Sequence, residues 1–295
     1  MGENALTRWT AGLAVLATTA LWSMGAAAAE PIGQPHPWEM TMQTPASTIA
    51  EEIYNFHDFL LVVTGLICLL VLVLMVIVVV RFNEKSNPVP SRISHNSTIE
   101  VLWTVIPVLV LVIIAIPSFR LLRHQEIIPP SDVTIKITGN QWYWGVEYPE
   151  KATGFKFDAL LLEDKDRTAA IDSGKVKPEE VPHLLAVDNE IVVPVNKVIR
   201  LQITAADVIH SFSVPSLGFR KDAVPGRLNE TWFKADREGV FFGQCSRLCG
   251  KNHAFMPIAI RAVSDAKYAA WVAQAKQKFA AISGSTRVAT NAAAQ

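Results

Sequence analysis

Two thiols, an imidazole and a thioether crowd into the run GQCSRLCGKNHAFMPI: Cys245, Cys249, His253 and Met256, four, four and three residues apart. Together they form a soft ligand set of the kind that holds a transition metal. Thiolate with imidazole and thioether favours copper, and a second imidazole, His210 in DVIHSFSVPSLG, could complete the set from another loop. Other chemistries compete for the same residues. Cys245 and Cys249 could pair as a disulfide outside the cytoplasm. With His210 and His253 they could hold a structural zinc, leaving Met256 as core packing. A single blue copper needs one Cys and strands the other, whereas two coppers bridged by both thiolates use every ligand. Cys68 lies inside a long apolar run and reads as packing. His57, His95, His124 and His183 have no ligand companions nearby in the sequence and read as surface or interfacial groups.

Positioning such a set requires loops at the ends of rigid strands. From Val133 onward VTIKIT, IVVPVNKVIRLQIT, SFSV, ETWFK, GVFFGQC and PIAIRAV are short β-branched or aromatic runs, broken by Gly, Pro, Asn and Asp. That pattern predicts an all-β antiparallel sandwich or barrel over 131–263. The polar stretch from Glu163 to Glu180 reads as a surface insertion. Ser264 is placed to cap an amphipathic helix over 264–281, and 282–295 reads as a disordered tail.

The 295 residues are 50% hydrophobic and 18% charged, with 27 basic side chains cancelling 27 acidic ones. This excludes a disordered or polyanion-coating protein, and no nucleic-acid partner is expected. The excess apolarity sits in three places. Residues 1–29, with Arg8, an apolar stretch and Ala26 to Ala29, read as a signal peptide, the alternative being an uncleaved first membrane helix. Phe59 to Val80 runs without a charge, and Val101 to Phe119 is interrupted only by Pro107, Pro117 and small polar residues. Both are long enough to cross a bilayer, giving a transmembrane hairpin over 57–82 and 99–120, with Trp103 as an interfacial anchor. The connecting loop, 83–98, follows Arg81 and carries Lys85 and Arg92, whereas 30–56 has no Lys or Arg. The positive-inside rule therefore puts the loop in the cytoplasm and both the 30–56 segment and the β domain in the periplasm or its equivalent. Arg120 and Arg123 run mildly against this, and the signal peptide agrees with the loop.

In this order, IEVLWTVIPVLVLVIIAIPSFRLL, GNQWYWGVEYP, VDNEIVVPVNKVIRLQIT, DVIHSFSVPSLGFRKDAVPGRLNET and GQCSRLCGKNHAFMPI resemble subunit II of haem-copper cytochrome c oxidase, in its α-proteobacterial and mitochondrial form. The resemblance covers nearly the whole chain after residue 29. It implies a cupredoxin β-barrel carrying a dinuclear copper A centre, which takes electrons from cytochrome c and passes them to haem a of subunit I, where oxygen reduction drives proton pumping. Subunits I and III and membrane lipid are the implied neighbours. By motif, Cys245 and Cys249 bridge the coppers, His210 and His253 are terminal ligands, and Met256 and the backbone carbonyl of Arg247 are weak ligands.

The resemblance makes Trp142 the electron-entry residue, Glu147, Asp158, Asp188 and Asp207 the cytochrome c docking residues, and Glu100 the mouth of a proton path. Local structure offers Glu100 a second role, an acid at a helix N-terminus. The family has Glu where this chain has Arg247, and that Glu helps hold Mg²⁺ at the boundary with subunit I. A guanidinium cannot ligate a cation, so a weakened or absent Mg²⁺ site is expected. A copper-free homologue and a copper carrier are the competing functions. The complete ligand set with Trp142 argues against the first, and the apolar framing of the ligands against the second.

Overall fold

A computed structural model of the chain describes residues 32–89, 91–149, 154–174 and 176–292. The expected signal peptide over 1–29 lies outside them. Two long helices come first, α1 (Thr48–Arg81) and α2 (Ser97–Glu126). They pack on one another, and their apolar side chains are exposed all round, the signature of helices whose solvent is lipid. Pro107 and Pro117 are both accommodated inside α2.

Both helices outrun the expected spans. At 34 residues, α1 is about 50 Å long, well beyond a hydrocarbon core of about 30 Å. Its helical start at Thr48 takes in residues expected to belong to the outer N-terminal segment. Ser47 explains this start: its Oγ accepts from Ala50 N (3.1 Å) and donates to Leu217 O (2.9 Å), so one hydroxyl caps the helix and ties it to the β domain.

The β domain is two facing sheets. One contains β2 (Val133–Asn140), β3 (Tyr143–Tyr148), β4 (Phe155–Ala159), β6 (Ile199–Ala205) and β9 (Asn229–Phe233), in the order β4-β3-β2-β6-β9. The other contains β5 (Ile191–Pro194), β7 (His210–Val214), β8 (Phe219–Ala223), β10 (Gly239–Cys245) and β11 (Pro257–Val263), in the order β5-β11-β10-β7-β8. A two-residue β1 (Ile32–Gly33) also pairs with β10. Alternation puts Ile135, Ile137, Leu201 and Ile203 wholly inside, in one buried core with Phe212, Phe241 and Phe242 of the other sheet. The architecture is the expected cupredoxin-like sandwich, with one difference. The pairs β2–β6, β5–β11 and β1–β10 are parallel, because long connections return the chain on the same side, so the sheets are mixed rather than antiparallel.

The Glu163–Glu180 insertion carries a helix of its own, α3 (Asp164–Asp172), held by Arg167 Nε donating to Val181 O (2.6 Å). The closing helix, α4 (Asp265–Ala292), begins with Tyr268 N donating to Ser264 O and covers the sheet edge with Trp271 and Phe279, whose ring lies 4.6 Å from that of Phe157. It continues past Ala281 through most of the segment read as a disordered tail, of which 293–295 fall outside the described residues. A helix nucleated by packing can extend into such a segment, which contains no Pro to stop it.

Gly218 joins the β domain to α1. It adopts φ +75°, and a methyl group there would stand 2.5 Å from Ala50 N, a backbone atom. Gly218→Ala is expected to destabilise the detergent-solubilised chain by about 2 to 4 kcal/mol, from left-handed strain plus overpacking. Gly226 has φ +74° but open space around it, so Gly226→Ala should lose only the strain. Thermal unfolding of the two variants side by side measures the difference.

Candidate metal centre

His210 opens β7 and Cys245 closes β10, and the two strands pair with Gln244 opposite Ser213 and Cys245 opposite Phe212. That pairing is close. A side chain on Gly243 would lie 2.0 Å from Ser213 O, so only glycine allows it. Beyond Cys245 the chain turns back on itself: Cys245 N donates to Met256 O (3.1 Å) and Ser246 N to Ser211 O (3.0 Å). A single helical turn, His253–Phe255, then leads into β11.

The ligand atoms of His210, Cys245 and Cys249 lie within 4.8 Å of one another, and all three residues are buried. The thiol sulfurs are 3.9 Å apart, far beyond a disulfide bond of about 2.05 Å, so both cysteines are free. His253 Nδ1 is 3.5 Å from Cys249 Sγ, and Arg247 O is 3.3 Å from Cys245 Sγ. Met256 is buried beside them in sequence, its backbone carbonyl anchoring Cys245. The His210 ring has no solvent exposure. Its Nε2 meets Asp207 Oδ1 at 2.8 Å, while its buried Nδ1 has no hydrogen-bond partner. Asp207 thus fixes the tautomer that leaves a lone pair on Nδ1, as the outer partner of a metal-bound imidazole does. A soft metal ion fits this donor set, and copper is one such ion.

Burial pushes the Cys245 thiol up, but the His210 imidazole and backbone groups of Arg247 and Ser211 outweigh it and bring it down to about 7. Burial and the neighbouring Cys245 push Cys249 up to about 12. Burial lowers the His210 imidazole, yet Cys245 and Asp207 more than compensate and raise it. Burial likewise raises Asp207, but His210 and the N–H groups of Val208 and Gln141 hold it below the usual carboxylate range.

Trp142 sits half-buried in the turn between β2 and β3, and its Nε1 donates to Cys249 O (3.3 Å). Lys251 lies over its ring, 5.9 Å from the centroid. Next to Trp142, burial and then the carboxylates of Asp158 and Asp207 raise the Tyr143 hydroxyl. Asp188 accepts from Leu160 N (2.8 Å), and Glu147 pairs with Lys136 across β2 and β3 (3.6 Å). Glu100 is distant from this cluster in the fold, at the start of α2, where it accepts from Asn96 N (3.3 Å) and faces His95 Nδ1 (2.7 Å). Three histidines without ligand companions in sequence have carboxylate partners in space: His95 with Glu100, His124 with Glu52 and His183 with Asp164. The sequence reading missed Gln141, whose Nε2 donates to Cys249 O at 2.7 Å, and it missed Asp207 as the partner of His210. The three-residue spacing of Asp207 and His210 was the available signal for the second.

Metal binding requires both thiols ionised. At pH 6 Cys245 still carries its proton and at pH 9 it has lost it, while Cys249 is protonated at both. Uptake of redox-inert Zn²⁺ as a probe should therefore release about two thiol protons at pH 6 and about one at pH 9. His210, raised above its ordinary range, adds to the release at pH 6. Indicator-dye titration of the metal-free chain measures the difference.

Residues 133–263 match the family described as cytochrome C oxidase subunit II, periplasmic domain, and residues 35–121 match its transmembrane domain. A probable cytochrome c oxidase subunit 2 of Rickettsia bellii is 52% identical over 258 residues, covering 88% of this chain and 91% of that one. Cytochrome c oxidase subunit 2 of Cereibacter sphaeroides is 44% identical over 256 residues, covering 84% of each. The crystal structure of the periplasmic domain of subunit II of cytochrome oxidase of Bradyrhizobium japonicum is 55% identical, covers 52% of this chain and 99% of that one, and has a TM-score of 0.45. The two matched parts follow each other as α1 and α2 precede the sheets, so the chain crosses the inner membrane twice and carries its thiol and imidazole cluster in the periplasm. Sharing about half its residues with such relatives along most of their length, the chain belongs to the cytochrome c oxidase subunit II family.

Proposed function

We propose that the chain takes electrons from cytochrome c at Trp142 and delivers them, through a dinuclear copper A centre, to haem a of subunit I, where oxygen is reduced and protons are pumped. Family membership makes it an electron-transfer subunit of an oxidase complex, and the finer path is our reading. In this reading the chain begins after residue 29, and His210, Cys245, Cys249, His253, Met256 and the Arg247 carbonyl hold the copper. Copper held by these residues would supply a one-electron carrier.

The observation that carries the reading is the hydrogen bond from Trp142 Nε1 to Cys249 O. It joins a half-exposed ring to the backbone of a buried thiol, a route of one hydrogen bond and a few covalent bonds. The chain's own residues do the rest. Asp207 holds the His210 ring, burial of His210, Cys245 and Cys249 keeps water away, and Asp158 and Asp207 give the surface around Tyr143 a negative character. Such a patch steers a basic partner. Glu147 and Asp188 extend it in our reading, with Lys251 opposing it beside the entry ring.

Arg247 lies 3.9 Å from Asp222, so its charge is balanced within the chain. We read this as leaving the subunit I boundary without a Mg²⁺ ligand from this position. The copper-loaded chain should show one unpaired electron shared equally by two coppers, and metal analysis of the assembled complex should find no stoichiometric Mg²⁺ at this boundary. Trp142→Ala should keep the copper signal and abolish fast reduction by cytochrome c. A single-copper signal rejects the reading, and no copper signal at all rejects it in favour of the copper-free alternative.

Glu100 is proposed to admit protons from the cytoplasm. Its contacts with Asn96 and His95 explain a capping role worth about 0.3 to 1 kcal/mol. Glu100→Ala should cost that little in stability but slow turnover and proton uptake in reconstituted vesicles. Unchanged uptake would leave only the cap.

A further inference from the structure

We propose that Gln141 is a positioning residue for the metal loop, its side-chain amide clamping the Cys249 carbonyl so that Cys249, His210 and Trp142 are held as one unit. The consequence for electron transfer rests on the copper reading above; the clamp itself does not.

Three features converge on this residue. Its Nε2 donates to Cys249 O at 2.7 Å, shorter than the 3.3 Å bond that Trp142 makes to the same oxygen, so Gln141 is the better-placed donor. Its backbone N donates to Asp207 Oδ2 at 2.6 Å, and Asp207 Oδ1 in turn holds His210 Nε2 at 2.8 Å. One residue therefore reaches the Cys249 loop with its side chain and the His210 loop with its main chain. Gly250 makes room for it. A side chain there would stand 3.1 Å from Gln141 Nε2 and 2.9 Å from the Trp142 ring, at a φ of +130° that favours glycine.

The Cys249 carbonyl lies in the peptide that leads to Gly250. Fixing it sets the backbone from which the Cys249 thiol projects, and outer contacts of this kind tune a metal's affinity and potential. The role calls for a donor of this length. Met fills similar space and donates nothing, Glu turns an acceptor toward the carbonyl, and Lys restores a donor of similar reach.

The test compares the full-length chain in detergent with Gln141→Met, Gln141→Glu and Gln141→Lys. In the metal-free state, hydrogen exchange of residues 246–255 should quicken about five-fold in the Met variant, the factor that one net hydrogen bond represents. The Glu variant should quicken at least as much, and the Lys variant should stay near the parent. After copper loading, the Met variant should show an altered copper spectrum, with the Lys spectrum again near the parent. Equal exchange in Met and parent overturns the clamp. So does a Lys variant as perturbed as Met, because side-chain volume rather than donation would then be the cause. A parent chain that loads copper without the shared two-copper signal would defeat the proposed function, while the metal-free exchange would still decide the role of Gln141.

Discussion

The approach of β10 to β7 at Gly243 is the constraint from which the site follows. With no side chain between Gly243 and Ser213 O, the strands close and the register sets Cys245 opposite Phe212. His210 and Phe212 share a face of β7, so the imidazole and the thiol converge at one end of the sheet. A slip of one residue would turn His210 outward. Packing then removes the remaining freedom. Trp144 meets Phe212 edge-on at 4.9 Å and lies 5.9 Å from the His210 ring, so the imidazole is backed by core with no room to rotate away.

Burial of this cluster would be costly if its polar atoms were left to themselves. Asp207 takes one nitrogen of His210 and is itself satisfied by two backbone N–H groups, from Gln141 and Val208, which keeps the carboxylate ionised and oriented. The Cys249 carbonyl is satisfied twice. What remains unpaired is His210 Nδ1, within a cluster of two thiols. The unsatisfied atom is thus the one a metal would satisfy. The same residues shape the outer surface: Asp158 and Asp207 hold the Tyr143 hydroxyl high next to Trp142, over which Lys251 lies, and a chain of zero net charge has no global field to lend them.

The fold and the closeness of the two thiols were legible because they are written in local pattern. Apolar runs too long for a soluble helix, period-two strands and Cys245, Cys249 and His253 at four-residue steps need no knowledge of what lies across the structure. Contacts that join distant segments were not legible. Gln141 to Cys249 spans 108 positions, and His124 to Glu52 spans 72, with nothing in either neighbourhood to announce the partner. The early start of α1 belongs with these. Ser47 and Thr48 read as ordinary polar residues until Leu217 supplies the other half of the cap. Parallel pairing in the sheets was hidden for a related reason: strand runs reveal faces, while direction depends on the connections.

These distant contacts also decide how the β domain stands on the membrane. Ala46 N donates to Ser216 O, Asp236 N to Ala46 O, and Arg237 to Pro45 O, so the segment before α1 is strapped across the domain rather than hanging from it. At the other helix, Lys221 pairs with Glu126 at 3.1 Å and the His124 ring lies 5.5 Å from that of Trp232. Only a short segment separates α2 from β2. A domain fixed at both helices cannot swing as a tethered carrier would. Its buried thiol and imidazole cluster keeps one height and one orientation relative to the two helices. A rigid mount of this kind suits the proposed delivery to a fixed acceptor, and it gives a role to the left-handed glycine, the helix cap and the strap at a junction where a flexible linker would otherwise suffice.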